Sequence, residues 1–210
     1  MTNVNVLFLL FFAIGLQSFA YEPQEGNVTA IIGPFVSRTD YQGHSKLAEN
    51  PIFGNVGFMV QGDINTTGAL EIAMFHMQKT YFREDFAKSI AEKTELMHIT
   101  MGFRYWISPL WSASLAFSSS YPMNQPKVIH TDFPTGQNID TSARDTVDYG
   151  FDLSIQTELW NRERYSVISD VRYGLSVTDK QNEDGSHYGI LIGLKYLVQE
   201  KYPKITKEKD

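Results

Sequence analysis

The chain has 210 residues, a formal net charge of −6 at neutral pH and no cysteine. The acidic balance argues against nucleic acid as a partner, because there is no basic field to attract phosphates. The lack of cysteine excludes a disulfide scaffold, a thiolate zinc site and a lipidated N-terminal cysteine. It also suits a protein that passes through an oxidising compartment, where free thiols would form wrong cross-links.

The N-terminal segment has the features of an export signal. Its apolar run, Val6–Leu16, is too short to span a bilayer as a helix. Small residues follow at Ser18 and Ala20, the positions that signal peptidase reads, and predict cleavage between Ala20 and Tyr21. An uncleaved anchor or a buried helix is the alternative, since the first six residues carry no Lys or Arg. After Ala20 no apolar run is long enough for a membrane-spanning helix, so a membrane would have to be crossed by strands.

The remaining chain alternates between apolar and polar residues in eight blocks, the period expected of β-strands. The first three blocks are weak, and the third carries apolar residues on both faces, so its phase stays open. These three lie near Val28–Val36, Val56–Gly62 and Leu70–Tyr81. The five regular blocks are Leu96–Ile107, Trp111–Tyr121, Val147–Trp160, Tyr165–Val177 and Tyr188–Val198. Successive side chains of a strand point to opposite sides, so each regular block has one apolar and one polar face.

The connections between the blocks alternate between long and short. The long ones are Ser37–Asn55, Phe82–Glu95, Pro122–Thr146 and Thr178–His187, and Ala87–Lys93 within the second could form a short helical turn. The short ones are Asp63–Gly68, Ser108–Leu110 and Asn161–Arg164. This rhythm predicts an all-β fold, an eight-stranded antiparallel up-and-down barrel with every long loop at one end.

Alternation alone does not say which face of the barrel is outside. A soluble lipocalin-like barrel would turn the apolar face inward, around an apolar ligand. The regular blocks, however, reach about ten to fourteen residues, the length that a tilted strand needs to cross a hydrocarbon layer. Strands of ordinary globular proteins average about five or six. Strand length therefore favours a transmembrane barrel with its apolar face outward.

Aromatic residues gather near the short turns, as they do in the girdles of membrane barrels. The predicted aromatic girdle consists of Trp106, Trp111, Trp160, Tyr165 and Tyr196. Strict alternation turns Trp106 and Trp160 inward, so the predicted girdle is imperfect. Ordinary core aromatics of a soluble barrel are the alternative interpretation.

The polar faces carry charges of both signs at mid-strand. The predicted lumen-facing polar network consists of Glu71, His98, Arg104, Asp148, Asp152, Glu158, Asp170, Arg172 and Lys195. In a hairpin closed at Asn161–Arg164, Asp152 and Arg172 fall within one or two positions of each other on the same face. Adjacent opposite charges compensate one another in a narrow interior, as their desolvation requires.

Residues 21–198 resemble the small eight-stranded outer-membrane barrels of the OmpA, OmpX and OmpW kind, and the resemblance rests on pattern. It implies a Gram-negative outer membrane, both termini and the short turns in the periplasm, and four extracellular loops. It also implies contact with outer-membrane lipid and lipopolysaccharide, and assembly by the barrel-assembly machinery. The last block resembles the C-terminal signal that this machinery recognises, through Gly189, Ile190, Ile192, Leu194 and Tyr196. The polar tail, residues 199–210, departs from barrels that end on the aromatic residue itself.

Three functions follow from these patterns. The first is a non-catalytic barrel with a structural, surface-interaction or minor-channel role and an extracellular loop ligand that the sequence does not identify. A general porin is disfavoured, because side chains largely fill an eight-stranded interior. The second is a lipid A acyl hydrolase-like enzyme using His98 and Thr100, with Glu71 or Glu158 as the acid. The third is the soluble periplasmic binding barrel.

The sequence predicts neither a cofactor nor a metal site. The remaining histidines lie at no metal-ligand spacing, mostly in loops. They are His44, His76, His130 and His187.

Overall fold

The computed structural model describes residues 21–40, 52–85, 88–134 and 139–201. The predicted signal peptide, residues 1–20, and the tail beyond Lys201 lie outside these ranges, as does His44. In the part of the chain that is described, no helix has the length and apolar character of a membrane span.

The described residues form ten strands and one 3-10 helix, Ser142–Arg144. The strands are β1 (Val28–Thr39), β2 (Phe53–Asp63), β3 (Gly68–Asp85), β4 (Lys88–Trp106), β5 (Trp111–Pro122), β6 (Lys127–Thr131), β7 (Asp148–Arg162), β8 (Tyr165–Ser176), β9 (Glu183–Asp184) and β10 (His187–Gln199). β6 and β9 are short additions that pair with the ends of β4 and β3, and the other eight strands form the barrel.

The barrel closes through antiparallel pairing of its first and last strands. β1 pairs with β10, where Ile31 lies opposite Lys195, and with β2, where Ile31 lies opposite Met59. The strand order around the barrel is β1, β2, β3, β4, β5, β7, β8 and β10. The predicted eight-stranded antiparallel up-and-down barrel is therefore confirmed.

A continuous apolar belt covers the outside of the barrel. About half of the surface of each belt side chain is exposed, as for Met101 (62%), Leu115 (56%) and Leu153 (54%). Polar and charged side chains of the same strands are buried inside. Soluble proteins do not expose apolar surface on this scale, so the belt requires a lipid environment. This arrangement is the reverse of the soluble lipocalin-like alternative.

The structure settles the phase of the third block. In β3, Glu71 lies opposite Gln61 of β2 and Gly102 of β4, and it faces inward with Ala73 and Phe75. The alternate residues of β3, such as Ile72, face lipid. Local composition could not decide the phase, because both faces are apolar; the position of Glu71 in the closed barrel does.

The predicted loop Phe82–Glu95 is wrong, and so is the helical turn within it. β3 continues to Asp85 and β4 begins at Lys88, so the two strands form a long hairpin above the barrel, with Phe82 opposite Ala91. Pairing with β6 and β9 and burial of Phe82, Ile90 and Ala91 stabilise this hairpin. The helix-forming residues of the segment yield to tertiary packing, as weak local propensity commonly does.

Strict alternation also fails at the turn end of β7. A β-bulge lies between Glu158 and Trp160 in the pairing of β7 with β8. The extra residue reverses the phase, so Glu158 faces inward while Trp160 faces outward. The inward position that alternation predicts for Trp160 is therefore wrong, and the bulge returns this ring to the lipid-facing surface.

Candidate functional site in the barrel lumen

The predicted lumen-facing network lies inside the barrel. All nine of its side chains are at most 5% exposed: Glu71, His98, Arg104, Asp148, Asp152, Glu158, Asp170, Arg172 and Lys195. They occupy three levels along the barrel axis. Glu158 and Lys195 lie near the short turns, His98 and Asp148 lie towards the long loops, and the two arginines lie between.

Two arginines and two carboxylates form a ring across the middle of the lumen, which we call the central ion ring (Glu71, Arg104, Asp170 and Arg172). Arg104 donates from Nε to Glu71 Oε2 at 2.6 Å and from Nη2 to Asp170 Oδ2 at 2.9 Å. Arg172 donates from Nη2 to the other Glu71 oxygen at 2.9 Å and from Nε to the other Asp170 oxygen at 3.3 Å. Each carboxylate thus bridges both guanidinium groups, the strongest class of hydrogen bond available to them.

Hydroxyl groups accept hydrogen bonds from the remaining N–H groups of the two arginines of the central ion ring. Arg104 donates to Ser112 at 2.9 Å and to Ser154 at 2.9 Å, and Arg172 donates to Thr100 at 3.3 Å. Buried charges are tolerated only where the remaining donors and acceptors are also paired. Ser112 lies on the inner face of β5, Ser154 on that of β7 and Thr100 on that of β4, so three strands supply these partners.

His98 lies on the loop side of the ring and has two partners. Its Nδ1 lies 2.8 Å from Ser120 Oγ, and its Nε2 lies 3.1 Å from Asp152 Oδ2. Asp152 in turn accepts from Arg172 Nη1 at 3.4 Å, so the structure brings together the pair that the β7–β8 hairpin predicts. The Thr100 hydroxyl accepts a hydrogen bond from Arg172 and is not a partner of His98.

The two carboxylates that the hydrolase hypothesis requires, Glu71 and Glu158, are bound to other partners. Glu71 belongs to the central ion ring, and Glu158 accepts from the backbone N–H of Tyr21 at 2.7 Å. Ser120, His98 and Asp152 do follow the order of a hydrolytic triad. The cavity beside them measures about 10 Å³, close to the space of one water molecule, and is far too small for an acyl chain.

Two further residues face the lumen on this level, and the sequence pattern does not predict either. His187 begins β10 and is buried, with its ring 5.1 Å from the ring of His98, so it does not lie in a loop. Extending the alternation of Gly189 and Leu191 back by two residues would have found it. Lys79 of β3 forms a 2.7 Å ion pair with Asp148, and it was missed because the phase of its block was open.

A floor closes the lumen at the short-turn end. The phenol of Tyr21 donates to Asp63 Oδ2 at 2.6 Å, and its ring covers Lys195 Nζ at 3.4 Å. The Tyr21 ring also packs against Trp106, with ring centroids 5.3 Å apart. Trp106 is buried and belongs to this floor rather than to the aromatic girdle, because it keeps the inward phase of β4.

The other four predicted girdle residues lie on the outside of the barrel near its short-turn end, on the four neighbouring strands β5, β7, β8 and β10. They are Trp111, Trp160, Tyr165 and Tyr196, and the last two have rings 5.0 Å apart. The predictions from sequence do not include a second group of outward-facing aromatics, which lies towards the long loops on the same four strands. It consists of Tyr121, Tyr149, Tyr173 and Tyr188. Each lies on the apolar face near the loop end of its block, a signal that was present in the sequence.

A cap of loop residues covers the other end of the lumen. We call it the loop cap; it comprises the β3–β4 hairpin above Lys79, residues 139–145 and residues 179–184. Glu92 is fully buried there and accepts from Thr141 Oγ1 at 2.6 Å and from Arg144 Nη2 at 2.5 Å. Glu183 of β9 accepts from Ser142 Oγ at 2.7 Å. Tyr81 joins the cap to the barrel by donating to Asp148 Oδ2 at 2.9 Å.

No protein-family model and no curated protein matches the chain. Among solved structures, it is similar to Ail, the attachment invasion locus protein of Yersinia pestis, in complex with the heparin analogue sucrose octasulfate. That match has 13% identity and a TM-score of 0.47, and covers 82% of this chain and 100% of Ail. It is also similar to the outer membrane protein OprG from Pseudomonas aeruginosa, with 9% identity, a TM-score of 0.49, and coverage of 83% and 98%. The function is argued below from this chain's own residues.

Proposed function

We propose that the chain is an integral outer-membrane barrel with a blocked lumen, which serves as a rigid base for the loop cap at the cell surface. The central ion ring is the observation that carries this proposal. Two fully buried guanidinium groups cross the middle of the lumen, and each is held by at least two carboxylates. An ion would have to break these contacts to pass, and breaking a buried pair costs about 3–5 kcal/mol.

Closure at two further levels supports a non-conducting role. The floor of Tyr21, Trp106 and Lys195 lies between the ring and the short turns. The loop cap lies over the opposite mouth, with Tyr81 and Phe82 almost fully buried. Of the roles open to the sequence, these contacts favour a structural and surface-interaction role over a minor channel.

The loop cap is the part of the molecule that we propose to meet an extracellular ligand. Its framework is rigid, since strand pairing joins Phe82 to Asp184 and ion pairs join Lys180 to Asp140 and Asp145. Lipid and lipopolysaccharide are the proposed partners of the apolar belt, and the barrel-assembly machinery is the proposed partner during insertion. Loops held on a rigid scaffold commonly carry recognition.

We do not propose a lipid hydrolase. The hydrogen-bonded residues Ser120, His98 and Asp152 lie inside the lumen, whereas a lipid acyl group in the membrane would lie against the outer belt. The cavity beside His98 holds about one water molecule, so a lipid carbonyl has no place next to Ser120.

Planar-bilayer recording of the purified barrel tests the blocked lumen. We expect no stepwise current under conditions in which a general porin conducts, because the ring, the floor and the cap all obstruct the path. Folding of the sample is established separately by its altered mobility on unheated gels. Stable unitary steps from the folded wild-type protein would contradict the proposal and would restore the minor-channel role.

A further inference from the structure

We propose that His98, His187 and Asp152 form a site for one divalent transition-metal ion of the Zn²⁺ type, inside the lumen between the central ion ring and the loop cap. The three side chains come from β4, β10 and β7. Their ligand atoms all lie within 4.8 Å of one another, and all three residues are buried. Two imidazoles and one carboxylate form a ligand set that Zn²⁺ binds readily, with a fourth position left for water.

The spacing of two of these atoms already suits coordination. At tetrahedral angles, the nitrogen and oxygen ligands of one Zn²⁺ ion are about 3.4 Å apart. His98 Nε2 lies 3.1 Å and 3.2 Å from the two oxygens of Asp152. A metal ion can therefore replace the shared proton of this contact without a large movement of either strand.

His187 supplies an independent observation. The residue is 97% buried, yet neither ring nitrogen has a hydrogen-bond partner among the described residues. A buried polar group without a partner is costly, and such groups in native proteins call for an explanation. A metal ion would give one of these two nitrogens the partner that it lacks. Gly174 makes room for the ring, since a Cβ at this position would lie 2.2 Å from its Cε1 atom.

The surroundings fix the orientation of His98. With a metal ion on Nε2, the Nδ1–H group donates to Ser120 Oγ, which lies at 2.8 Å. Outer hydrogen bonds of this kind hold the ring and its tautomer in metal sites. The small cavity lined by His98, His187 and Ser120 has room for the water that would complete the coordination.

The nearby cations do not oppose a divalent ion, because carboxylates already compensate them. Lys79 is paired with Asp148 at 2.7 Å. Arg172 is paired with Glu71 at 2.9 Å and with Asp170 at 3.3 Å, in addition to its longer contact with Asp152. The site therefore keeps the negative charge of Asp152 available for the metal.

The test is metal titration of the full-length protein, extracted from outer membranes without a histidine tag and freed of metal with a chelator. Competition with a chromophoric chelator measures Zn²⁺ binding, and Co²⁺ absorption reports the coordination. We expect one saturable site per chain and the intense visible bands of four-coordinate Co²⁺. Absence of saturable binding by the folded wild-type protein would overturn the proposal without any mutant.

Variants then assign the ligands. Substituting a residue that only hydrogen-bonds a metal ligand typically weakens metal binding 10–100-fold, and we expect an effect of this size from Ser120→Ala. We expect His187→Gln and Asp152→Asn, which remove ligands, to weaken Zn²⁺ binding by more than about 100-fold. The matched control is His76→Gln, because His76 lies on the outer side of β3, away from the lumen. Unheated-gel mobility establishes that each variant is folded. Equal affinity of wild type and folded His187→Gln would show that the bound metal lies elsewhere and would overturn the assignment.

Discussion

Each charge of the central ion ring has at least two partners, and this multiplicity decides how single residues respond to substitution. Arg104 alone reaches two carboxylates and the hydroxyls of Ser112 and Ser154. Removal of such a residue leaves more than one buried group without a partner. The cost of a substitution in the lumen is therefore set by what remains behind rather than by the contact that is lost.

Arg104→Met tests this at the residue scale. The substitution leaves Glu71 and Asp170 with Arg172 as their only charged partner, and we expect it to lower the free energy of unfolding by about 3–5 kcal/mol. The double variant Arg104→Met with Asp170→Asn removes one charge of each sign. It should be more stable than Arg104→Met alone.

The free energy of unfolding is measured by urea titration in lipid vesicles and mobility on unheated gels. Its values for wild type, the two single variants and the double variant form a double-mutant cycle. Strict additivity of the two substitutions would show that Arg104 and Asp170 are not energetically coupled, contrary to their 2.9 Å contact.

The outer belt gives the second prediction at this scale. Leu153 faces lipid near mid-depth, between Leu115 and Tyr173 on the neighbouring strands. Leu153→Arg should destabilise the barrel by about 2–4 kcal/mol, because the charge would lie in hydrocarbon. Val177→Arg is the matched control, since Val177 is also exposed but lies just beyond the loop end of β8, where the cost falls to about 0–1 kcal/mol. Equal unfolding midpoints for the two variants would contradict the depth assigned to Leu153.

At the scale of elements, the loop cap holds carboxyl groups that are partly removed from water. This burial raises the pKa of Asp179 above its ordinary value of 3.8 and the pKa of Glu183 above its ordinary value of 4.5. The folded cap therefore binds protons more tightly than the unfolded cap. Its stability should rise as the pH falls from neutral through the raised pKa values, and the gain is complete below the ordinary values.

Hydrogen exchange of residues 177–186 at pH 7 and pH 5, corrected for intrinsic rates, measures this effect. We expect stronger protection at pH 5, and we expect Glu183→Gln, which carries no titrating group at this position, to show a smaller pH dependence. Protection that weakens at pH 5 would show that the charged form of the carboxylates stabilises the cap instead.

At the scale of the whole molecule, the barrel has two unlike ends, and their placement across the membrane can be measured. The chain has no cysteine, so a single introduced thiol is a unique label. Gln181 is exposed in the loop cap, and Thr66 is exposed in the short turn between β2 and β3. On intact cells, a membrane-impermeant maleimide should label Gln181→Cys and spare Thr66→Cys until the outer membrane is permeabilised. The opposite pattern would invert the proposed topology.

The local sequence determined the eight barrel strands and the division of each regular block into an apolar and a polar face, because alternation at period two is a property of neighbouring residues. The tertiary structure decided the phase of β3, the bulge that turns Trp160 outward, the long β3–β4 hairpin and the floor built on Tyr21. It also decided which polar side chains meet. His98 and Asp152 are 54 positions apart, and Tyr21 and Glu158 are 137 apart. Such contacts depend on strand register and on closure of the barrel, which no local pattern contains.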